Sequence, residues 1–257
     1  MFLCYSDCLI MTSPENEPSL QTTADSQLME AVLSRLDHLT NEIQDLRTLV
    51  GTKPKARRHS IAQRKLSLSD SLICTKEWIE FLSHALGFDN SSLSDHSTLR
   101  YRATSDGWEP SAFHESCDHF TNLLCIVRTI DGFICGGFSG NKDFSGKEHK
   151  LAEGSFIFSL TNPYGIDPFI LNAAGTESAE LITADPQLGP VFGLQDFMVL
   201  LESRQLCTSN LGSTFWRYEV REFEEHHIAP NSHSARGLLA RPNAEVGEIE
   251  VFSIDRL

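Results

Sequence analysis

The sequence predicts an α+β fold, an antiparallel β-sandwich flanked by helices and preceded by a short coiled-coil helix. Three observations predict it. A strict heptad pattern occupies residues 25–50, and a basic linker follows it. Two helical patterns then precede many short apolar runs punctuated by Gly, Pro and Asn, the order of elements expected of a sandwich with attached helices. The third is Gly189-Pro190-Val191-Phe192-Gly193-Leu194-Gln195-Asp196-Phe197-Met198-Val199-Leu200, around which the rest of the chain is organised. Gly189-Pro190 favours a turn, Gly193 allows a second sharp bend, and the apolar run after it has strand length. It holds no nucleophile and no ligand set. It is a backbone device.

Taken in order, residues 1–24 form a disordered lead-in, polar and unpatterned from residue 12 onward. Met1 to Met11 is apolar only in patches, is broken by Asp7 and has no Lys or Arg before it, which argues against a signal peptide; Met11 is an alternative start of translation. Next, Met29, Val32, Leu36, Leu39, Ile43, Leu46 and Val50 recur at alternating steps of three and four. That is a heptad seam of three repeats, capped by Asp25 or Ser26 and stopped by Gly51 and Pro54. The spacing predicts self-association through residues 25–50, against the plainer reading of an amphipathic helix packed on its own domain. Three heptads are marginal alone, so the expected oligomer is weak.

Residues 51–70 read as a solvated basic linker, with Lys53, Lys55, Arg57, Arg58, Arg64 and Lys65 and no acid before Asp70. Ser60 and Ser67 each stand two positions beyond a basic pair and are candidate phosphorylation sites. A phosphate there adds roughly −1.5 to −2 charge. It would weaken a contact of the tether with an acidic domain or an acidic membrane surface.

The domain proper is expected over 71–257. Thr75 caps a helix running through Trp78, Ile79, Phe81, Leu82 and Leu86 to Gly87, and Pro110 sits in the first turn of a second helix with Phe113 and Cys117 on its inner face. Strands are predicted over 123–130, 133–138, 155–160, 169–173, 180–183, 197–201, 215–220 and 248–254. Asp131-Gly132 between two of them is the strongest short-range hairpin signal. Gly247-Glu248-Ile249-Glu250-Val251 alternates acid with aliphatic, as a half-exposed strand does. No internal repeat is evident.

Charge and cysteine usage bound the function. Residues 1–70 carry 8 Lys+Arg against 9 Asp+Glu, and residues 71–257 carry 13 against 26. Such an acidic domain repels phosphate backbones, which excludes nucleic acid and makes a basic protein surface the natural partner. The seven cysteines contain no Cys-x-x-Cys pair. Cys117, Cys125, Cys135 and Cys207 lie in or beside apolar runs, the usage of buried hydrophobes in a reducing compartment. No apolar run approaches the roughly 18–20 residues of a membrane span. A cytoplasmic protein is expected, with peripheral attachment at organelle membranes as a further option.

Candidate chemistry fails on spacing. Gly137-Phe138-Ser139-Gly140 misses a nucleophile elbow by one residue and sits in a hairpin. Gly140 to Gly146-Lys147 has one residue too many for a phosphate loop, and Glu148 stands where Ser or Thr must hold magnesium. His226, His227 and His233 follow Glu222, Glu224 and Glu225, but adjacent histidines diverge, and 222–241 has the composition of a mobile loop. His114 with Glu115 and Asp118 is better read as a structural histidine than as an acid–base pair. No catalytic, cofactor-binding or metal residue is assigned, and no cofactor is implied.

Six pieces in order resemble the TLDc domain, the family of oxidation-resistance-type proteins. They are Leu99-Arg100-Tyr101-Arg102-Ala103 with Asp106-Gly107, the Gly136-Gly137-Phe138 strand, 155–162, 189–200, Leu211-Gly212-Ser213-Thr214-Phe215, and Glu248-Ile249-Glu250-Val251-Phe252. They span about residues 99–254. The resemblance implies a β-sandwich flanked by helices, in which Asp106, Gly107, Gly136, Gly137, Gly189, Phe192, Gly193, Gly212, Glu248, Glu250 and Phe252 mainly hold the fold. It also implies a non-enzymatic role in oxidative-stress protection, with subunits of the vacuolar-type proton-pumping ATPase (V-ATPase) as partners. An enzyme using a redox-active cysteine or a hydrolytic site, and a scaffold working through its coiled coil, are the alternatives.

Overall fold

In a computed structural model the chain divides into two units, Met1–Gln63 and Arg64–Leu257. The structure describes residues 32, 34–35, 65–89, 92–172, 181–207, 211–216 and 221–255. In the first unit Val32, Ser34 and Arg35 are helical and exposed. The other seam positions, and Ser60, lie outside the described residues.

In the second unit, a strap over residues 65–75 comes first. Its short 3₁₀ turn, Leu68–Asp70, buries Leu68 completely. Residues 66–70, expected to end the linker, are thus part of the folded domain, because Leu68 and Ile73 supply apolar surface to its core. Helix α1 (Lys76–Leu86) follows, with Thr75 accepting the Trp78 N–H and Gly87 closing it at φ 77°. Four short helices come next: α2 (Ser92–Asp95), α3 (Ala103–Asp106), α4 (Pro110–Cys117, with Pro110 in its first turn) and α5 (Arg221–Glu225). The last is α6 (His233–Arg236).

The described residues also form eleven strands: β1 (Ser97–Arg102), β2 (Leu123–Thr129), β3 (Ile134–Phe138), β4 (Glu148–Leu151), β5 (Phe156–Thr161), β6 (Phe169–Leu171), β7 (Leu181–Ala184), β8 (Val191–Phe192), β9 (Phe197–Leu200), β10 (Gln205–Cys207) and β11 (Ala244–Ile254). The structure is therefore mostly antiparallel sheet with a few helices, an α+β fold. Hydrogen bonding runs in one continuous path, β4-β7-β8-β9-β10-β11-β2-β3-β5-β6, with β1 on β11. Strand β11 is the joint. Ala244 and Glu245 pair with β10, and after an irregularity between Val246 and Glu248 the strand pairs with β2 on one side and β1 on the other. Alternation along β2 and β11 divides the core. Cys125, Val127, Ile249 and Val251 join one apolar cluster, while Leu124, Ile126, Phe252 and Ile254 meet α1, α2 and the strap. Where β3 faces β8, a Cβ on Gly137 would stand 2.7 Å from the Phe192 ring. Glycine there lets the two strands approach.

Two further expectations are corrected. Glu248 and Glu250 are not half-exposed: they are 2 % and 0 % exposed, because the strap and α3 cover that face of β11 and supply hydrogen-bond partners. The stretch 222–241 is not an open loop. It carries α5 and α6 and sends Phe223, Ile228, Leu238 and Leu239 into the core. These apolar residues follow neither a helical nor a strand period, so composition alone reads as loop. Within the strand expected over 215–220, Phe215 forms a single bridge and 217–220 lie outside the described residues.

Candidate functional site

The motif residues hold the fold through specific contacts. Asp106 reaches back to accept the Arg102 N–H at 2.8 Å, and the Gly107 carbonyl accepts the Tyr101 hydroxyl at 2.8 Å, closing α3 at both ends. Gly136 lies under the Phe158 ring and against the Cys125 carbonyl, with no room for a Cβ. The Gly189 N–H donates to the Val199 carbonyl, and Phe192 packs between Phe144 and Phe197. Phe252 is fully buried on the helix side of the sheet.

Asp196 is fully buried, and its Oδ1 accepts the N–H groups of Gly212, Ser213, Thr214 and Phe215 at 3.1, 3.0, 2.9 and 3.2 Å. Burial pushes its carboxyl above the usual carboxylate range, against the pull of those N–H groups. Its Oδ2 lies over Gly193, where a Cβ would be only 2.3 Å away. The turn at Gly193 and the loop from Gly212 are therefore one unit, tied by a carboxylate.

Two acids on β11 do the same for the N-terminal side. The Glu250 Oε1 accepts from Arg102 Nε at 2.8 Å and lies 2.6 Å from Arg102 Nη2; it also accepts the Leu72 N–H at 3.0 Å, and Oε2 accepts the Ser71 hydroxyl. Glu248 accepts the Thr104 N–H and hydroxyl, so a carboxylate from another strand caps α3. These two acids join the strap, β1 and α3 to β11.

Among the candidate reactive groups, His114 and Ser139 are occupied. The His114 Nδ1 bonds Asp118 at 2.7 Å, and Nε2 faces the carbonyls of Asp185 and Leu188 at 3.1 and 3.0 Å. Ser139 is buried, with its hydroxyl between the Leu123 N–H and the Lys142 carbonyl. The loop after Gly140 is drawn in by Lys150, whose Nζ meets Asp143 at 2.6 Å, and the Asp143 carboxyl is held below its usual range by Lys150 and Ser145 despite partial burial. His226 packs on the Tyr164 ring, and His227 and His233 are exposed. Among the described residues no group of three His, Cys, Asp or Glu side chains could hold a metal ion. Burial pushes the thiols of Cys117, Cys125 and Cys135 up, and that of Cys74 to about 12.

A solvent-accessible feature lies beside the organising stretch. Glu109, Pro110, Ser111, Pro186, Gln187, Leu188 and Glu202 line a cleft of about 580 Å³, with two carboxylates and no cationic side chain in its lining. His114, by holding the Asp185 and Leu188 carbonyls, fixes one wall. Such a cleft suits the end of a Lys or Arg side chain from a partner. Its acids were not legible beforehand. Glu109 and Glu202 come from distant parts of the chain and line one cleft because α4 packs against the loop before β8, which is itself bonded to β9 just ahead of Glu202.

No helix among the described residues is long and apolar enough to cross a membrane. A search of curated proteins found no match to the chain. The TLDc domain model matches residues 67–255. That match begins at the strap and ends with β11, the two segments that Arg102 and Glu250 join. The chain belongs to the TLDc domain family.

Proposed function

We propose that this chain is a non-enzymatic interaction module acting in oxidative-stress protection, and that it regulates the vacuolar-type proton-pumping ATPase by binding its soluble sector. In this reading the domain is an acidic β-sandwich, residues 25–50 are a coiled coil that sets valency, and the tether carries regulation in the cytoplasm or at an organelle surface. The observation that carries the reading is the acidic cleft of Glu109 and Glu202, on a domain with 13 Lys+Arg against 26 Asp+Glu over 71–257. A field of that sign steers basic protein surfaces toward it and fades with salt. The described thiols support the non-enzymatic part, because nucleophilic cysteines need lowered pKa values and these are raised.

The test is a pull-down from cytosol with the full chain as bait, at low and at high salt, beside a Glu109→Lys/Glu202→Lys variant. Subunits of the pump's soluble sector should appear at low salt, fade at high salt and be lost with the variant. A folded bait that retains none at either salt removes the pump from the proposal.

A further inference from the structure

We propose that Ser67 is a phosphorylation site for a basophilic serine/threonine kinase, and that its phosphate unfastens the strap from β1 and β11. The sequence Arg64-Lys65-Leu66-Ser67 places two cations just before the hydroxyl, the local charge such kinases select. The transfer is complete with MgATP as donor. The Ser67 Oγ–H bond and the β–γ anhydride bond break, the Oγ–P bond forms, and ADP and a proton leave.

The consequence follows from what the strap does. The Leu66 carbonyl accepts the Leu99 N–H at 2.8 Å, and the Leu68 N–H donates to Ser97 Oγ at 2.8 Å. The Asp70 carbonyl accepts from Arg102 Nη2 at 3.2 Å, and Ser71 and Leu72 are both held by Glu250. These bonds seat Leu68 and Ile73 in the core. The fastening starts at Ser67, whose N–H donates to Asp70 Oδ2 at 3.0 Å and whose Oγ lies 2.8 Å from Ser69 Oγ and 3.4 Å from Asp70 Oδ2. A phosphate on that oxygen adds about two negative charges within bonding distance of a carboxylate. Like charges so close in a half-buried setting repel strongly. Opening of the Ser67–Asp70 turn parts the two charges, and with it goes the turn that positions Leu68. Ser67 is half-buried, so the kinase acts on the transiently open strap, and the phosphate then holds it open.

The test uses the full chain carrying Ser60→Ala, which removes the neighbouring site, incubated with a basophilic kinase and MgATP or with kinase alone. Peptide mass mapping locates the phosphate, and amide exchange reads the strap. The expected result is phosphate on Ser67, with exchange at Leu68, Leu72 and Leu99 faster by about tenfold, the scale of losing one hydrogen bond to a carboxylate. Amides of β2 and β3 should not change. A Ser60→Ala/Ser67→Ala chain should show no response to MgATP. The proposal is overturned if the kinase, active on a control peptide, leaves Ser67 unmodified. It is equally overturned if Ser67 is modified and the strap exchanges no faster, since the phosphate would then be an added cap. Neither readout depends on what the domain binds.

Discussion

Replacing Gly193 with Ala should destabilise the domain by about 4 kcal/mol, most of it through Asp196. Gly193 sits at φ +67°, and an L-residue there costs about 1 kcal/mol. The new Cβ would also lie 2.3 Å from Asp196 Oδ2 and 3.0 Å from Thr214 Cβ. Asp196 cannot yield cheaply, because its other oxygen accepts four N–H groups, two of them fully buried. Displacing the carboxylate forfeits charge-assisted bonds together worth about 3 kcal/mol. Gly193→Val, bulkier and branched, should exceed the total stability of many domains, about 5–15 kcal/mol, and leave no folded protein. The assay is a double-mutant cycle by urea unfolding, with Gly193→Ala, Asp196→Ala and the pair. Asp196→Ala alone should cost about 3 kcal/mol by orphaning the buried N–H groups. In its presence Gly193→Ala should cost only the backbone term, about 1 kcal/mol, leaving a coupling of about 3 kcal/mol. Additivity within about 0.5 kcal/mol, the behaviour of independent sites, would refute the link between the turn and the carboxylate.

Three further outcomes are expected. Arg102→Ala should cost about 3 kcal/mol in urea unfolding, because it strands the fully buried Glu250; Arg102→Lys should recover less than half, since a single ammonium cannot replace Nε and Nη2 on the same oxygen. Thermal stability should fall as pH rises above about 9: the Cys74 thiol has its folded pKa raised from 9.0 to about 12, so the unfolded chain ionises first and stability is lost across that window. A flat melting temperature from pH 8 to 10.5 would contradict this. Alkylation of the native chain at pH 8, mapped by peptide, should spare Cys74, Cys117, Cys125 and Cys135; rapid labelling of any one of them would reopen the redox reading.

Local signals were legible where a single residue type dictates geometry. Thr75 and Gly87 bound α1, Pro110 opens α4, and Asp131-Gly132 turns β2 into β3, each because capping or turn chemistry is decided within a few residues. Long-range burial was not legible. Glu248 and Glu250 read as solvent-facing because alternation reports which residues share a face, not whether something covers it. Leu68 read as tether because one leucine in a polar, basic stretch has no period. Strand β4 was missed since Glu148-His149-Lys150-Leu151 is an exposed edge with no apolar face to reveal it. The cleft needed the fold itself, for Glu109 and Glu202 share no local pattern.

The buried acids also change how the domain's charge should be read. Asp196, Glu248 and Glu250 count toward the negative excess, yet none faces solvent, and Glu250 is matched by Arg102. They contribute little to the field a partner meets, although they lie in or beside the family's most recognisable stretches. Exposed carboxylates set that field, among them Glu109 and Glu202. Loss of binding on mutating Glu250 therefore carries no information about the interface, since the strap comes loose first. The informative comparison is Glu109→Lys/Glu202→Lys against a charge-matched reversal elsewhere on the surface, such as Glu224→Lys/Glu225→Lys on α5. Both pairs change net charge equally and neither touches the core. If steering by overall charge is the whole effect, the two variants weaken capture alike and mainly through the association rate. If the cleft receives a basic side chain, only the first shortens the lifetime of the complex.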